Sequence, residues 1–514
     1  MDDTVLYPLL LALLGLLYYG VLRGLNSIWW QPKLLQRHLK QQGIMGTAYR
    51  PLIGDMKEYV KLITEAWSKP MNLDHNIVSR VDPFTLKNVQ KYGKISMFWS
   101  GKSPRLIIKD PKLMTEVLSN KLGHFGKPPL NPNILILTRG LTSLEGDIWA
   151  RRRRILNPAF HLERLKGMLP VFSTSCSSTI ERWQNMTNLE GKCDIDVWPE
   201  LQKLTADVIS QTAFGSNYEE GERIFKLLNE LVILVLEAMQ TLYLPGFRFI
   251  PTKKNRRRKE LDREIRSMLR DLIQRKKHSM RHGQSRNDDL LGQLLRPITE
   301  NNGHNDGRMT EEDVVEECKQ FYLAGYETTS SWLTWTMIVL AIHPDWQEKA
   351  RKEALQIGQE QELDYKTITN FKIINMILHE VLRLYPPVIA LYQHTYKETK
   401  IGHITLPAGV DLTLPILLLN HDPEIWGDDA DEFKPQRFSE GVYRASNDQL
   451  GFFPFGWGQR TCIGQNFAML EAKMALAKIL RHFSWELSPS YVHAPYTVMT
   501  LQPQHGAQIT LHQL

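Results

Sequence analysis

The segment around Cys462 constrains this chain more than any other stretch of its sequence. A helical pattern over Gln465–His482 follows a glycine-rich run that reads Phe452-Phe453-Pro454-Phe455-Gly456-Trp457-Gly458-Gln459-Arg460-Thr461-Cys462-Ile463-Gly464. Glycines permit positive φ angles and let backbone N–H groups approach closely. A cysteine just before a helix meets N–H donors and the positive end of the helix dipole, which favour the thiolate, and Arg460 adds positive charge. A thiolate is a soft ligand, so the segment predicts that Cys462 binds a metal.

A single thiolate suits a haem iron better than zinc. A tetrahedral zinc site would need further cysteines or histidines near Cys462, and the surrounding sequence has none. The axial position of a haem takes one thiolate. The other three cysteines lack such surroundings and are predicted to be ordinary small side chains, buried or half-buried: Cys176, Cys193 and Cys318. Four cysteines in 514 residues exclude a disulfide scaffold and fit a reducing compartment.

A second feature is a long helical pattern with an unfavourable centre. Residues 309–313 read as a capping box with an acidic first turn, and the pattern continues to Ile342, which gives a helix of about 48 Å. Within it, Gly325 costs about 1 kcal/mol relative to alanine. Small residues there allow either close packing of another helix or close approach of a large ligand. In the second case, the acid Glu327 and the hydroxyl of Thr328 would deliver protons to that ligand.

These residues carry a family resemblance. The run Phe455-x-x-Gly458-x-Arg460-x-Cys462-x-Gly464 resembles in full the haem-binding signature of the cytochrome P450 monooxygenases. Four further motifs of that family occur in the expected order: Trp149-x-x-x-Arg153, Ala324-Gly325-x-Glu327-Thr328-Thr329, Glu380-x-x-Arg383 and Pro435-Gln436-Arg437-Phe438. The sequences of residues 125–127, 149–160 and 251–258 resemble those of the plant family-72 clan. The resemblance implies a mainly α fold with a smaller β region, preceded by a single N-terminal transmembrane helix.

The resemblance also implies roles for individual residues. Haem b would take Cys462 as its axial thiolate, and the side chains or backbone that surround it would be Trp149, Arg153, Phe455, Arg460 and Gly464. Glu327 and Thr328 would be catalytic, as proton donors. Glu380, Arg383 and Arg437 would form a structural ion-pair network, because residues i and i+3 share a helix face.

One segment departs from the family pattern. Many relatives carry an arginine in the extended segment after the Glu-x-x-Arg helix, where it meets a haem propionate. The corresponding residues here are Leu391-Tyr392-Gln393-His394-Thr395. Gln393 and His394 are the polar residues available there, and the sequence assigns neither to that contact.

The N-terminus contains a candidate membrane anchor. Residues 5–22 carry no charge and would form a helix of about 27 Å, close to the ~30 Å of a bilayer's hydrocarbon layer. A cleaved signal peptide would have a positively charged N-terminal region, whereas Asp2 and Asp3 precede this stretch. The basic residues lie beyond it, and this bias predicts a cytosolic body: Arg23, Lys33, Arg37 and Lys40. The sequon at Asn185 should therefore stay unglycosylated.

The predicted organisation is a short lumenal N-terminus (1–4), an anchor (5–22), a linker and hinge (23–54) and a cytosolic catalytic domain (55–514). Helical periodicity dominates the last part; extended segments are predicted at 95–99, 105–109 and 399–404, and a loop at 285–306. A mean hydropathy of −0.31 excludes many membrane spans. A net charge of +7 without a basic aromatic stripe gives no reason to expect a nucleic acid partner. The basic run 253–259 fits a solvated helix face or contact with anionic lipid.

The function implied by the resemblance is a monooxygenase of the endoplasmic reticulum membrane. It would insert one oxygen atom from O2 into a C–H bond of an apolar small molecule, a terpenoid or steroid of gibberellin, iridoid or triterpenoid type. The chain has no flavin or nicotinamide motif, so electrons would come from a separate NADPH–cytochrome P450 reductase. Two alternatives stay open: a haem-thiolate isomerase or dehydratase that needs no O2, and a membrane-tethered binding protein.

Overall fold

The computed structural model describes residues 3–121, 123–216, 218–239, 249–282, 289–299, 309–357, 363–446 and 450–514. The chain forms two compact units. The first comprises Met1–Lys69, Val78–Pro128 and Ala390–Leu418, and the second comprises Pro70–Ile77, Pro129–Ile389 and Leu419–Leu514. The secondary structure is mainly helical with small sheets, which confirms the predicted fold class.

The first unit begins with a long apolar helix. It covers Asp3–Leu25 and continues through a π-helical turn at Asn26–Trp30 into Gln31–Gln41. Among the described residues, one helix is long and apolar enough to cross a membrane, and it lies here. The other helices of this unit are Met56–Trp67, Val78–Val81, Pro83–Tyr92 and Pro111–Ser119, and the short helix Ile416–Asn420 begins in it.

A six-stranded mixed sheet forms the rest of the first unit. Its strands, in spatial order, are Met45–Gly46, Ile95–Ser100, Ser103–Ile108, Asp411–Leu414, Leu391–Thr395 and Phe125–Gly126. A separate hairpin pairs Thr399–Ile401 with Ile404–Leu406. The predicted linker thus supplies an edge strand, and a Cβ on Gly46 would lie 2.0 Å from the Met97 carbonyl oxygen. Phe84, Phe98 and Ile107 pack together as a hydrophobic cluster beside the sheet.

The second unit is a helical body. Its longer helices are Gly146–Leu156, Leu162–Met186, Val197–Phe214, Tyr218–Met239, Lys253–Arg281, Leu290–Thr299, Glu311–Ile342, Pro344–Ile357, Ile373–Leu384 and Gln465–His482. Shorter helical turns cover Leu135–Thr138, Asn157–Phe160, Tyr365–Thr369, Pro423–Trp426, Pro435–Phe438, Val442–Ala445 and Gly458–Arg460. The loop predicted at 285–306 is wrong at Leu290–Thr299, where the apolar residues Leu290, Leu291, Leu294 and Leu295 are buried. The remainder of that prediction falls largely outside the described residues.

The central helix, Glu311–Ile342, organises the second unit. Thr310 caps it, and Asp313 completes a capping box with the Thr310 backbone. Most of its 32 residues are buried on every side. A helix that is apolar around its whole circumference belongs in a core, and its ends are the ones predicted from the sequence.

Two small sheets complete the second unit. Lys192–Asp196, Phe483–Leu487 and Gln508–Gln513 form one, with Gln508–Gln513 in the middle. The other is a hairpin of Pro495–Thr497 and Leu501–Pro503, here called the C-terminal hairpin. The Leu501 carbonyl accepts hydrogen bonds from the Ser331 hydroxyl (2.5 Å) and the Trp335 indole (2.9 Å), so this hairpin is fastened to the central helix.

Candidate active site

The segment Phe455–Gly464, here called the cysteine loop, is held in a tight conformation. The Cys462 N–H donates to the Phe455 carbonyl at 2.8 Å, and Gly456 and Gly458 have φ angles of +74° and +70°. Those angles favour glycine at both positions. Gly464 caps the helix Gln465–His482, and its N–H hydrogen-bonds the Cys462 thiol. The loop therefore presents Cys462 at the start of the helix, as the sequence predicts.

Cys462 differs from the other cysteines in its accessibility. All four cysteines lie in the described residues; Cys176 and Cys318 are buried, Cys193 is half-buried, and only Cys462 is exposed. Even so, surrounding protein desolvates the Cys462 thiol and raises its pKa. Solvent access combined with desolvation indicates a recess in the protein. A bound metal ion would deprotonate a thiol in such a place.

The cation that acts on Cys462 is Arg153, and Arg460 has another partner. The Gly464 N–H and the Arg153 guanidinium both lower the pKa of the Cys462 thiol, against the larger effect of burial. Arg460 donates to the Glu145 carboxylate at 2.5 Å and to the Leu144 carbonyl at 2.8 Å. The expected contribution of Arg460 to the thiolate is therefore corrected: its charge is neutralised by Glu145.

The helix Gly146–Leu156 brings Trp149 and Arg153 close to the cysteine loop. The Arg460 guanidinium lies 4.2 Å from the Trp149 ring centroid. Arg153 is half-buried and makes no hydrogen bond or ion pair with another described residue, and burial lowers its pKa. A half-buried guanidinium without a partner suits an anionic ligand.

The same helix is fixed to the central helix by a buried ion pair. Arg152 is buried and its guanidinium lies 3.0 Å from Glu317 Oε1 and 3.2 Å from Asp313 Oδ1. Glu317 also accepts a hydrogen bond from the Leu141 N–H at 3.0 Å. The i+1 neighbour Arg153 is thereby turned to a different side of the helix.

The central helix opens at the motif that the sequence singles out. Ala324 is exposed and Thr328 is half-buried, although the residues around them are buried. A Cβ on Gly325 would lie 2.7 Å from Ile209 Cγ1, so Gly325 permits helix–helix packing. The structure thus shows the first explanation, helix packing, at Gly325, and it leaves Ala324 and Thr328 accessible to a ligand, which stays a prediction.

Glu327 and Thr328 point in different directions. The Thr328 hydroxyl donates to the Ala324 carbonyl at 2.8 Å. The Glu327 side chain is 6% exposed, and its Oε1 accepts hydrogen bonds from the Thr500 hydroxyl (2.9 Å) and the Gln502 amide. Burial raises the pKa of Glu327. The contacts of Thr500 and Gln502 with Glu327 were not predicted from the sequence, because they form only when the C-terminal hairpin packs on the central helix.

The three residues of the proposed ion-pair network lie together. Arg383 donates to both carboxylate oxygens of Glu380, at 2.8 and 2.7 Å, and both side chains are completely buried. Arg383 also donates to the carbonyl oxygens of Asn420, Ala430 and Glu432. Arg437 Nε lies 3.6 Å from Glu380 Oε1. The buried charges are thus neutralised and hydrogen-bonded, as burial requires.

Gln393 and His394 lie in the first unit, on the strand Leu391–Thr395. His394 Nδ1 lies 2.7 Å from Asp411 Oδ1, and the Gln393 side chain is buried. His394 is therefore already paired with an acid of its own sheet.

Comparison with known proteins identifies the family. The family model for cytochrome P450 matches residues 78–511. Cytochrome P450 CYP72A616 of Paris polyphylla is 50% identical over 518 residues and covers 100% of both chains. Cytochrome P450 72A15 of Arabidopsis thaliana is 47% identical with the same coverage, and the 7-deoxyloganic acid hydroxylase of Catharanthus roseus is 47% identical over 98% of both chains. The chain belongs to the cytochrome P450 family.

The family assignment confirms the recognised resemblance, including its plant family-72 character. The retinoic acid-bound cyanobacterial CYP120A1 has the same fold, with a TM-score of 0.75, 22% identity and coverage of 92% of this chain and 99% of that chain. Members of the family are monooxygenases whose haem iron is held by a cysteine thiolate. They take hydrophobic substrates and receive electrons from a redox partner.

The residues of the second unit fit a haem. Cys462 offers the single accessible thiol, and beside it Arg153 offers a guanidinium that pairs with no other side chain in the part of the chain that the structure describes. Haem supplies an iron that takes a soft axial ligand and propionates that take cationic ones. Phe455 and Gly464 flank Cys462 in the loop and are half-buried.

Proposed function

We propose that this chain is a monooxygenase of the endoplasmic reticulum membrane that hydroxylates a terpenoid or steroid. The observation that carries the proposal is the accessible Cys462 thiol beside Arg153, which has no ion-pair partner among the described residues, in a chain of this family. Haem, when bound, supplies the oxygen activation and the insertion into a C–H bond. The protein supplies the remaining functions: it binds and orients the substrate, excludes water from the site and delivers protons.

We assign the site residues as follows. Cys462 is the iron ligand, in the loop that Phe455 and Gly464 shape. Arg153 would hold the propionates of the haem, with Trp149 and the Glu145-paired Arg460 beside it. Thr328 stands at the opening of the central helix and holds water there, and Glu327 supplies protons. Glu380, Arg383 and Arg437 hold the fold and do not touch the reacting atoms.

The proposed substrate class rests on the relatives of this chain. A hydroxylase of 7-deoxyloganic acid, an iridoid, is among the relatives at 47% identity. A terpenoid of iridoid, gibberellin or triterpenoid type presents a largely hydrocarbon skeleton, and ligand sites that bind such skeletons are lined mainly by apolar side chains. A screen of terpenoid and steroid panels in reductase-supplemented microsomes would identify the substrate.

The membrane placement follows from the N-terminal helix. We propose 1–4 as a lumenal end, 5–22 as the anchor, 23–54 as a linker and 55–514 as a cytosolic catalytic domain. The helix Asp3–Leu25 opens the first unit and is followed by the basic residues Lys33, Arg37 and Lys40. Electrons would come from NADPH–cytochrome P450 reductase in the same membrane, since the chain has no flavin motif of its own.

Carbon monoxide tests the iron ligand. We expect the reduced, carbon monoxide-treated protein to show a strongly red-shifted Soret band, because a thiolate donates electron density to the iron. Cys462→Ser should abolish that band. Cys193→Ser is the matched control, because Cys193 is half-buried on a surface strand and should leave the band unchanged. An unshifted spectrum in the unaltered protein would reject the haem-thiolate assignment.

Coupling of NADPH use to product tests Thr328. Thr328→Ala removes the hydroxyl at the helix opening, so we expect NADPH to be consumed with peroxide release and less product. Unchanged coupling would contradict the role of Thr328. Full turnover without NADPH and reductase would reject oxygen insertion and support a haem-thiolate isomerase or dehydratase.

A further inference from the structure

Glu327 is surrounded by neutral hydrogen-bond donors. The Thr500 hydroxyl donates to its Oε1 at 2.9 Å, and the Gln502 amide donates to the same oxygen. Gln502 Nε2 also lies 3.3 Å from Thr500 Oγ1, and Gln202 hydrogen-bonds the Glu327 side chain as well. None of these partners is a cation. A carboxyl with neutral donors can take up and release a proton more readily than one held by an arginine.

The C-terminal hairpin fixes where these donors stand. Thr500 ends the turn of the hairpin and Gln502 lies in the strand Leu501–Pro503, and their side chains meet, with Gln502 Nε2 3.3 Å from Thr500 Oγ1. Both backbone groups of Leu501, which lies between them, are hydrogen-bonded. Its carbonyl accepts from Ser331 and Trp335 of the central helix, and its N–H donates to the Pro387 carbonyl at 3.0 Å. The donors are therefore held in register with Glu327, and both are buried.

Glu327 and Thr328 are adjacent on one helix, so their side chains leave it about 100° apart. The hairpin holds the carboxyl on the buried side, whereas Thr328 faces the opening of the helix. The carboxyl is thus held by the hairpin donors together with Gln202 and Tyr326, and not by Thr328.

We propose that Thr500 and Gln502 are positioning residues for the carboxyl of Glu327, which they hold in place for proton delivery. The inference rests on the proposed role of Glu327 in the monooxygenase. The other titratable groups that face this carboxyl are the phenols of Tyr326 and Tyr496, whose pKa values are raised by burial. No charged group competes with the hairpin donors among the partners described for Glu327.

The chain offers a matched set of variants. Thr500→Val removes the hydroxyl and keeps the shape, and Thr500→Ser restores a hydroxyl. Thr497→Val makes the same chemical change in the same hairpin, at a threonine whose buried hydroxyl has no hydrogen-bond partner. Gln502→Leu removes the second donor. All are made in the full-length protein.

Infrared spectroscopy of the resting enzyme gives the first readout, with no turnover involved. The carboxyl band of Glu327 is identified by its loss in Glu327→Gln and titrated with pH. A lost donor to a carboxylate destabilises the ionised form, so Thr500→Val should raise the protonation midpoint by about one pH unit, a tenfold change. Thr500→Ser should restore the midpoint, and Thr497→Val should not move it.

Coupling efficiency gives the second readout. Thr500→Val and Gln502→Leu should lower product per NADPH, with recovery in Thr500→Ser and no loss in Thr497→Val. A midpoint that does not move in Thr500→Val overturns the proposal, and so does a moved midpoint with unchanged coupling, because the contact would then be structural only. Failure of the proposed monooxygenase function would show separately, as a missing red-shifted Soret band in the unaltered protein.

Discussion

His75 is a buried imidazole whose two nitrogens contact groups that carry no negative charge. Its Nδ1 lies 2.8 Å from the Tyr385 hydroxyl, and its Nε2 lies 2.8 Å from His343 Nε2. Burial is the main cause that lowers the pKa of His75 to about 3, and His343 lowers it further. The folded protein therefore keeps His75 neutral at pH values where the unfolded chain protonates it, below about 6.5.

This lowered pKa predicts a loss of stability in mild acid. Between the unfolded pKa of about 6.5 and the folded one, the unfolded state binds one more proton. The free energy of unfolding should then fall by about 1.4 kcal/mol for each pH unit below about 6.5. His75→Gln should flatten this slope, whereas the exposed His505→Gln should not. Thermal denaturation from about pH 7.5 to about pH 5 measures it, and parallel slopes in all three proteins would contradict it.

Some site residues could be assigned from their neighbours in the sequence, and others could be assigned only from their contacts in the folded chain. Cys462, Gly464 and their loop follow from the local motif. The cation beside the thiol does not: Arg460 is adjacent in sequence but pairs with Glu145, whereas Arg153 arrives from another helix. Local sequence gives the chemistry of a side chain, and only packing selects its partner.

At the scale of elements, Gly325 is where two helices touch. A Cβ on Gly325 would lie 2.7 and 2.8 Å from Cγ1 and Cδ1 of Ile209, on the helix Val197–Phe214. Ile209 is itself buried, so it has little room to move. The close approach of the two helices thus depends on the absence of a side chain.

Gly325→Ala should destabilise the protein despite the better helix propensity of alanine. The propensity gain is about 1 kcal/mol, whereas overpacking costs about 1–3 kcal/mol. With Ile209→Ala the clash is relieved, so the double variant should be at least about 1 kcal/mol more stable than additivity predicts. Denaturant unfolding measures this. Gly167→Ala, where a Cβ would meet nothing within 4 Å, should be neutral or stabilising. Additive effects at 325 and 209 would contradict the steric argument.

Long elements were predictable and short ones were not. The central helix carries its own capping box, Gln465–His482 directly follows the glycine-rich loop, and both have long apolar patterns. The C-terminal hairpin has strands of only three residues, and its hydrogen bonds go to a helix about 170 residues away in sequence. No window of local sequence contains such a pairing, so the contacts of Thr500 and Gln502 with Glu327 could not be predicted from it.

At the scale of the whole molecule, the chain contains a natural test of its orientation in the membrane. Asn185 is exposed near the end of the helix Leu162–Met186 and begins a sequon. Asn185 can be glycosylated only if it faces the lumen, whereas the basic residues after the apolar helix favour a cytosolic body.

The unaltered chain in microsomes should therefore carry no glycan. Reversing the charge bias should admit glycosylation at Asn185, because orientation follows the basic flank. The substitutions are Asp2→Lys, Asp3→Lys, Arg23→Gln, Arg37→Gln and Lys40→Gln. The measurement is a mobility shift that glycosidase removes and Asn185→Gln abolishes. A glycan on the unaltered chain would place its body in the lumen and contradict the proposed topology.

The sequence by itself determined the family, the thiol that suits an iron and the helix that suits a membrane, because each depends on residues close together along the chain. Tertiary structure decided which charges meet. Arg153 stands by Cys462, Arg460 is neutralised by Glu145, and Glu327 turns to the C-terminal hairpin. The physical reason is that electrostatic and hydrogen-bond energies depend on distance in space and on desolvation, and both are set only when the elements pack.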